Sequence, residues 1–231
     1  MLTNEDIETL RDRYIELIKG TKRGKAFPED VDALIAYLDE VGFFNAPAST
    51  EYHCAFPGGL CLHSLDVYDA LKALTDTLAL VSVPEGDTEE EGSDGWVDKP
   101  IYDDDSLVMV ALLHDIGKVD RYTLSSVNEK VYCDDGSKSD SFGRFEWRSR
   151  MGYKVADAEQ RKNLGFGGMS SYLIASRFLP LSEEESMAII YQYGANGIQI
   201  PDLHKILERY NLCVYLHSAD EIATYHIEKN G

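Results

Sequence analysis

Apolar residues recur every three or four positions along most of the chain, which is the spacing that buries one face of an α-helix. The first stripe, from Ile7 to Leu17, ends at Gly20, a residue that favours a helix stop. The same spacing predicts helices over residues 3–19, 28–42, 58–80, 106–118, 169–178, 182–193 and 201–228. We therefore expect an all-α fold.

Two longer stretches and one short run interrupt the helical pattern. Residues 81–103 are acidic and rich in Gly and Pro, which predicts a solvated, mobile insertion. A plain charged loop is favoured there over a regulatory or metal-buffering segment. Residues 119–164 hold β-forming residues between turn-forming runs and predict an irregular insertion with a small β-hairpin. The basic run 21–25 predicts a turn.

The length of 231 residues fits a single domain over 1–231. We expect N-terminal helices in 1–44 and a core formed by 45–80 together with 104–231. No apolar run approaches the length of a bilayer span, and the N-terminus lacks the pattern of a secretory signal, so the sequence predicts a cytoplasmic protein. The four cysteines form no CxxC pair and are expected to be reduced thiols.

The charge of the chain limits its partners. The net charge is −19, from 41 acidic and 22 basic residues, and a field of that sign repels an extended nucleic acid. Ten of the bases nevertheless lie between Lys118 and Lys162, so a small phosphorylated ligand could bind locally. We expect such a substrate, most simply a nucleotide, and no membrane partner, while an oligomer is compatible with the sequence.

Four polar residues lie on faces that are predicted to point inward. His63 belongs to the apolar stripe of helix 58–80, and His114, with Asp115 beside it, to that of helix 106–118. A third inward stripe consists of Cys213, Leu216, Asp220, Ala223 and Ile227. A lone inward histidine is typical of a structural core residue, but a buried carboxylate is costly unless a cation or strong donors replace its hydration.

One divalent cation would make the burial of all four groups tolerable. Imidazole nitrogen and carboxylate oxygen suit Mn, Fe, Co, Ni or Zn, with Mg as a further candidate. Four protein ligands leave positions open for water and substrate, which is typical of a catalytic site. The alternative is a buried His–Asp network that holds no metal.

The surrounding residues carry a family resemblance. Three segments carry it: YHCAFPGGLCLHSLDVY at 52–68, HDIGK at 114–118 and HSADEIAT at 217–224. Over about residues 45–225 this pattern resembles the HD-domain phosphohydrolase superfamily, most closely a phage and bacterial branch. The resemblance implies an HD-domain helical bundle that hydrolyses phosphate esters, most often of nucleotides. It also implies that the metal ligands are His63, His114, Asp115 and Asp220.

The chain departs from that branch at two positions. Where the branch has two further histidines, this sequence has Phe166 and Gln192. In members with two or three metals such histidines hold the additional ions, so their absence implies a single metal.

The sequence also suggests roles within such a site. Asp115 would orient a metal-activated water, and Lys118, one turn after His114, would balance charge on the phosphate.

Candidate substrate contacts are less sharply indicated by the sequence. Arg144 and Arg148 lie among aromatic residues, a mixture suited to phosphate pairing and base stacking, although an ordinary amphipathic hairpin has the same composition. Tyr52 and His53 precede the turn before helix 58–80 and are expected at the mouth of the site, and Gln192 is a further candidate.

Three functions stay open at this point. The first is hydrolysis of a small nucleotide, and the second is a 3′ exonuclease acting on short RNA or DNA, which would need a local basic groove. The third is a catalytically degenerate module that binds nucleotides or regulates a partner. Assays with nucleotides and short oligonucleotides separate the first two, and a purified protein that contains no metal would favour the third.

Overall fold

The structure, a computed structural model, describes residues 2–84, 96–155, 165–194 and 200–228. It is mostly helical, with a small antiparallel sheet where the hairpin insertion was expected, so the mostly helical character and the β insertion are confirmed, although the strands mean that the fold is not all-α. The helices are α1 Asn4–Gly20, α2 Lys22–Ala26, α3 Pro28–Glu40, α4 Gly59–Leu78, α5 Asp104–Leu113, α6 Gly165–Arg177, α7 Glu183–Ile190, α8 Ile200–Arg209 and α9 Leu212–Ile222. Short 3₁₀ helices span Phe43–Asn45 and Ile116–Arg121, and a π-helical turn, Ala223–Ile227, follows α9.

Hydrogen bonds to side chains explain where the N-terminal helices begin. The backbone N–H of Asp6 donates to the Thr3 hydroxyl (3.2 Å), which caps α1. The turn predicted over residues 21–25 is wrong, because residues 22–25 lie in α2. Thr21 caps that helix locally, and Asp105 accepts hydrogen bonds from the N–H groups of Lys22 and Arg23 (2.6 and 2.8 Å). Asp105 is distant in the chain, so no local pattern could reveal this second cap.

Helix α5 occupies the centre of the core. All its residues from Leu107 to Leu113 are buried, and it packs against α1, α4 and α7. The Tyr14 hydroxyl of α1 donates a hydrogen bond to the carbonyl oxygen of Leu112 (2.6 Å). The last turn of α5 is therefore fixed inside the protein, and the polar residues that follow it begin their path in the core.

The two predicted insertions both contain strands. The strands are β1 Leu80–Pro84, β2 Trp96–Pro100, β3 Tyr122–Tyr132, β4 Lys138–Asp140 and β5 Gly143–Val155. Strands β1 and β2 pair antiparallel, so the loop predicted over residues 81–103 is wrong at both of its ends, while its middle, 85–95, lies outside the described residues. The second sheet has the order β3-β5-β4.

The helix predicted over residues 201–228 is interrupted. Helix α8 ends at Arg209, α9 begins at Leu212, and the backbone N–H of Leu212 donates to the Glu184 carboxylate of α7 (3.2 Å). This remote carboxylate stabilises a new helix start where the sequence has neither Gly nor Pro. Among the described residues, no helix has both the length and the apolar character that crossing a bilayer requires.

Candidate metal centre

His63 enters the site from the first turns of α4. The chain reaches this helix through a tight loop in which Gly58 has φ +83° and Cys54 has φ +45°. A Cβ atom on Gly59 would lie 2.0 Å from the Cys54 carbonyl oxygen, so only glycine allows this approach. The loop brings the ring of His53 against that of His63, with 4.8 Å between the ring centroids.

His114 and Asp115 follow directly from the buried end of α5. Both side chains are buried, and the N–H of Gly117 donates to the Ser170 hydroxyl of α6 (2.9 Å), which fixes the turn after them. The ammonium group of Lys118 forms an ion pair with Asp115 Oδ2 from within the same turn. The HD doublet and its lysine therefore share one enclosed corner of the core.

Asp220, on α9, completes the cluster. His63 Nε2 lies 3.1 Å from Asp220 Oδ1 and 3.7 Å from Asp115 Oδ2, and His114 Nε2 lies 3.4 Å from the same Asp115 oxygen. His63, His114 and Asp220 form a group whose ligand atoms all lie within 4.8 Å of one another. Ligands of one transition-metal ion lie about 2 Å from it, hence about 3–4 Å apart, so the cluster fits one cation.

Both histidines present the same nitrogen to the cluster. The Nδ1 atom of His114 lies 2.7 Å from the Ala111 carbonyl oxygen, which can only accept, so Nδ1 carries the proton and Nε2 holds the lone pair. His63 Nδ1 is engaged in the same way by the Glu228 carboxylate at 2.6 Å. Metal-binding histidines commonly donate their second N–H to a carboxylate or carbonyl group, and both rings follow that arrangement.

The cluster contains buried polar atoms that lack hydrogen bonds. Among the described residues, the Nε2 atoms of His63 and His114 and Oδ2 of Asp115 are buried and have none of acceptable geometry. Buried polar atoms are nearly always hydrogen-bonded, so two imidazole nitrogens that face one Asp115 oxygen, itself ion-paired with Lys118, indicate a place for a ligand. A bound cation satisfies this requirement, and a buried His/Asp cluster able to hold a metal ion is thus present.

The charges of the cluster partly balance one another. Burial by itself would lower the pKa of His63, but the adjacent carboxylates of Asp220 and Glu228 outweigh it and raise the pKa to about 10, so in the metal-free chain Nε2 carries a proton that a bound cation would displace. Burial would raise the pKa of Asp115, but Lys118 and His114 outweigh it and hold the pKa well below its usual value. Burial would raise the pKa of Asp220, but the contact with His63 and the charges of His63 and His114 together outweigh it and lower the pKa. The carboxylates are therefore ionised, as metal ligands must be.

Three residues surround the ligands without belonging to the expected ligand set. The Tyr193 hydroxyl donates to Asp115 Oδ1 (2.8 Å), and Gln192 Nε2 lies 3.2 Å from both that oxygen and the His114 carbonyl oxygen. Gln192, expected as a substrate contact, is fully buried and binds the HD doublet itself. Tyr193 and Glu228 were not anticipated; Tyr193 follows Gln192 directly, which is the only sequence signal for it. The side chain of Phe166 lies outside the described part of the structure.

The two candidates at the mouth of the site differ in position. His53 is half-buried beside His63, and its Nε2 atom has no hydrogen bond to any described residue. Burial and the nearby His63 and Lys118 lower the pKa of His53 to about 4, so this ring is neutral near pH 7. Tyr52 is 86% exposed and directs most of its ring into solvent. His53 thus adjoins the cluster, while Tyr52 lies outside it.

The structure gives no contact between the arginines of the hairpin and the cluster among the described residues. Arg144 donates to the Gly136 carbonyl oxygen (2.9 Å), and Arg148 pairs with Glu146 on the same strand. Arg150 pairs with Glu129 across the ribbon (2.9 Å). The expected substrate contacts Arg144 and Arg148 are therefore engaged within the hairpin.

The cluster combines the features of a site for a divalent cation. It is enclosed by helices α4, α5 and α9, and Asp220, whose side chain is 11% exposed, gives it an edge toward solvent. Two imidazole nitrogens and carboxylate oxygens can bind a transition metal, and the adjacent Lys118 provides a positive charge for an anionic ligand. Comparisons of the chain with protein-family models, with curated proteins and with solved structures found no match.

Proposed function

We propose that the chain is a metal-dependent phosphohydrolase of the HD type that cleaves a phosphate ester of a small nucleotide. The observation that carries the proposal is the convergence of His63, His114, Asp115 and Asp220 in the protein interior, with the Nε2 atoms of both histidines facing the carboxylates. Packing alone gives no reason to bury ionised carboxylates beside two such nitrogens. The assignment to the HD type rests on the H…HD…D pattern of the sequence.

The residues around the ligands suggest a division of roles. A divalent ion bound here would lower the pKa of a coordinated water toward neutrality and polarise a phosphoryl oxygen. Tyr193 and Gln192 hold Asp115 through Oδ1, which leaves Oδ2 turned toward the histidines, where it can orient a nucleophilic water. Lys118, paired with Oδ2, would neutralise negative charge that develops on the phosphate.

The charge distribution favours a small substrate over an extended nucleic acid. The net charge of −19 opposes the approach of a polyanion. Within the hairpin, Arg148 and Arg150 are paired with acidic residues, which weakens the case for the basic groove that a 3′ exonuclease would need. The neutral His53 beside the cluster is the best-placed contact for a phosphate or sugar hydroxyl.

One observation supports a non-catalytic alternative. The cluster is nearly enclosed, since His63 and His114 are fully buried and Asp115 is almost so, and Gln192 replaces a histidine of the related branch with a purely supporting contact. A module that retains a structural metal but no turnover would show the same geometry. The metal content alone therefore does not separate the two functions, whereas turnover does.

The test combines metal analysis with a substrate panel. Purified protein should contain about one transition-metal ion per chain, and His114→Ala should lose it, whereas His204→Ala, which alters an exposed histidine outside the cluster, should keep it. With Mn²⁺ or Co²⁺, nucleotides should be hydrolysed faster than short labelled oligonucleotides. Metal retention in His114→Ala would refute the ligand set, and a metal-loaded protein without turnover on any substrate would favour the binding module.

A further inference from the structure

Glu228 is the least expected member of the site. Its carboxylate Oε1 lies 2.6 Å from His63 Nδ1, and its side chain is only 1% exposed. Glu228 contacts the ring at Nδ1, whereas Asp220 approaches Nε2 on the opposite side of the ring. A buried carboxylate in this position fixes the plane of the ring and keeps Nε2 turned toward the cluster.

Glu228 reaches this position only because the helix changes its register after Asp220. In a regular α-helix, with about 100° per residue, position 227 would lie within about 20° of Asp220 and position 228 about 80° away. The observed order is the reverse: Ile227, predicted to point inward, is 40% exposed, and Glu228 is buried. The prediction for Ile227 is therefore wrong.

The π-helical turn Ala223–Ile227 is the physical cause of this shift. The N–H of Glu228 donates to the Ala223 carbonyl oxygen, five residues earlier, where an α-helix would use the fourth. One extra residue is thus accommodated, and Glu228 takes the angular place that position 227 has in a regular helix. A single helical segment consequently supplies carboxylates to both nitrogens of His63: Asp220 to Nε2 and Glu228 to Nδ1.

We infer that Glu228 is a positioning residue of the metal centre and that the π-helical turn serves to deliver it to His63. For its effect on ion binding the inference rests on the proposed function, but the contact between Glu228 and His63 is a property of the metal-free chain and can be tested alone. Removing a residue that hydrogen-bonds to a metal ligand typically weakens metal affinity by about 10- to 100-fold.

Four variants of the full chain separate the effect of the Glu228 carboxylate from the effect of the helix register. Glu228→Ala removes the acceptor, and Glu228→Gln keeps a neutral acceptor oxygen. Deletion of Tyr225, which is exposed, removes the extra residue and places Glu228 seven positions after Asp220 on a regular helix, so the contact should survive. Insertion of an alanine after Tyr225 moves Glu228 off this face. Glu221→Gln, an exposed acid of the same helix, is the matched control.

The first readout is the imidazole ¹H–¹⁵N spectrum of the metal-free protein, with the His63 signals identified by their loss in His63→Ala. We expect a hydrogen-bonded Nδ1 proton in the wild type, in Glu221→Gln and after deletion of Tyr225. It should be lost in Glu228→Ala and in the alanine insertion, and weakened in Glu228→Gln. An unchanged Nδ1 signal in Glu228→Ala overturns the positioning role, and an unchanged signal in the insertion overturns the role of the π-helical turn.

The second readout is the affinity for Co²⁺, followed by its visible absorption spectrum, with helix content checked by circular dichroism. Glu228→Ala should bind Co²⁺ about 10- to 100-fold more weakly than wild type, and Glu228→Gln should recover part of that loss. Wild-type protein that binds no Co²⁺ but shows the expected imidazole signals would refute the proposed metal function and leave the positioning of His63 intact. Unchanged affinity in Glu228→Ala, with wild type binding normally, would refute the inference alone.

Discussion

Glu185 joins three helices through one buried carboxylate, and its replacement by glutamine gives a stability prediction. The side chain is 1% exposed and accepts hydrogen bonds from Arg23 of α2 (2.7 and 3.0 Å), the Ser106 hydroxyl of α5 (2.8 Å) and the N–H of Ser182 (2.7 Å). Summing about 1.5–3 kcal/mol for each bond to a charged group would give about 6–12 kcal/mol, but that sum ignores the desolvation of the carboxylate.

Measured losses for breaking a buried ion pair are about 3–5 kcal/mol. Arg23 would retain the Pro180 carbonyl oxygen (2.8 Å), and its side chain is 17% exposed, so the lower end of that range applies. We expect Glu185→Gln to lower the free energy of unfolding by about 3 kcal/mol, and, in a chain of this length, the melting temperature by about 6–12 °C.

Urea unfolding followed by circular dichroism measures the effect, with Glu183→Gln as the matched control. Glu183 lies in the first turn of the same helix, but its side chain is 63% exposed, so its replacement should cost at most about 1 kcal/mol. Equal losses in the two variants would show that burial of the Glu185 pair contributes nothing specific, and the reasoning would fail.

Three further outcomes follow from the same structure. The pKa of Glu185 is lowered because hydrogen bonds from Arg23 and Ser182 outweigh burial, so the stabilisation by its carboxylate should be full above about pH 4.3 and should disappear as pH falls through the folded pKa. In urea titrations, the difference in free energy of unfolding between wild type and Glu185→Gln should therefore shrink in acid. A difference that grows in acid would contradict this. Gly167→Ala should lower the free energy of unfolding by about 1–3 kcal/mol in the same assay, because its Cβ would lie 2.1 Å from the Ile189 carbonyl oxygen. Gly20→Ala is the control and should not destabilise the protein, because there is open space around Gly20. Co²⁺ at about 100 times its Kd should add about 2.7 kcal/mol to the stability of the wild type and nothing to His114→Ala, and equal gains would argue against the ligand set.

The helices whose apolar stripes face the core could be predicted from the sequence. The periodicity around His63 and His114 placed both side chains inside the protein, because a residue within a buried stripe has no other direction to take. What periodicity could not reveal are contacts made by distant residues. Asp105 and Glu184 satisfy the first N–H groups of α2 and α9. Thr21 marks the start of α2 locally, whereas no side-chain cap marks the start of α9.

In the candidate site, too, apolar periodicity predicted which residues point inward but not which contacts they make. The apolar stripes placed His63, His114 and Asp220 correctly in the interior. Ile227, expected inside, is exposed, and the side chain of Glu228, which was not anticipated, is buried. A change of register by one residue leaves the composition of the segment unaltered, so the apolar pattern continues to indicate the face of an ideal helix. Gln192 illustrates a different limit, since a sequence alone does not distinguish a side chain that contacts a substrate from one that supports Asp115.

The burial of α5 from Leu107 to Leu113 has a consequence for how the protein moves. A helix of ten residues is not stable alone in water, so α5 can persist only while the helices around it are in place. Its amide protons should therefore exchange with deuterium only when the whole domain opens. His114 and Asp115 are attached to this slowly exchanging segment, whereas Asp220 and Glu228 belong to a segment that borders solvent at Ile227. An entering ion would thus meet Asp220 at the solvent edge first and then reach two groups that are held in place by the core.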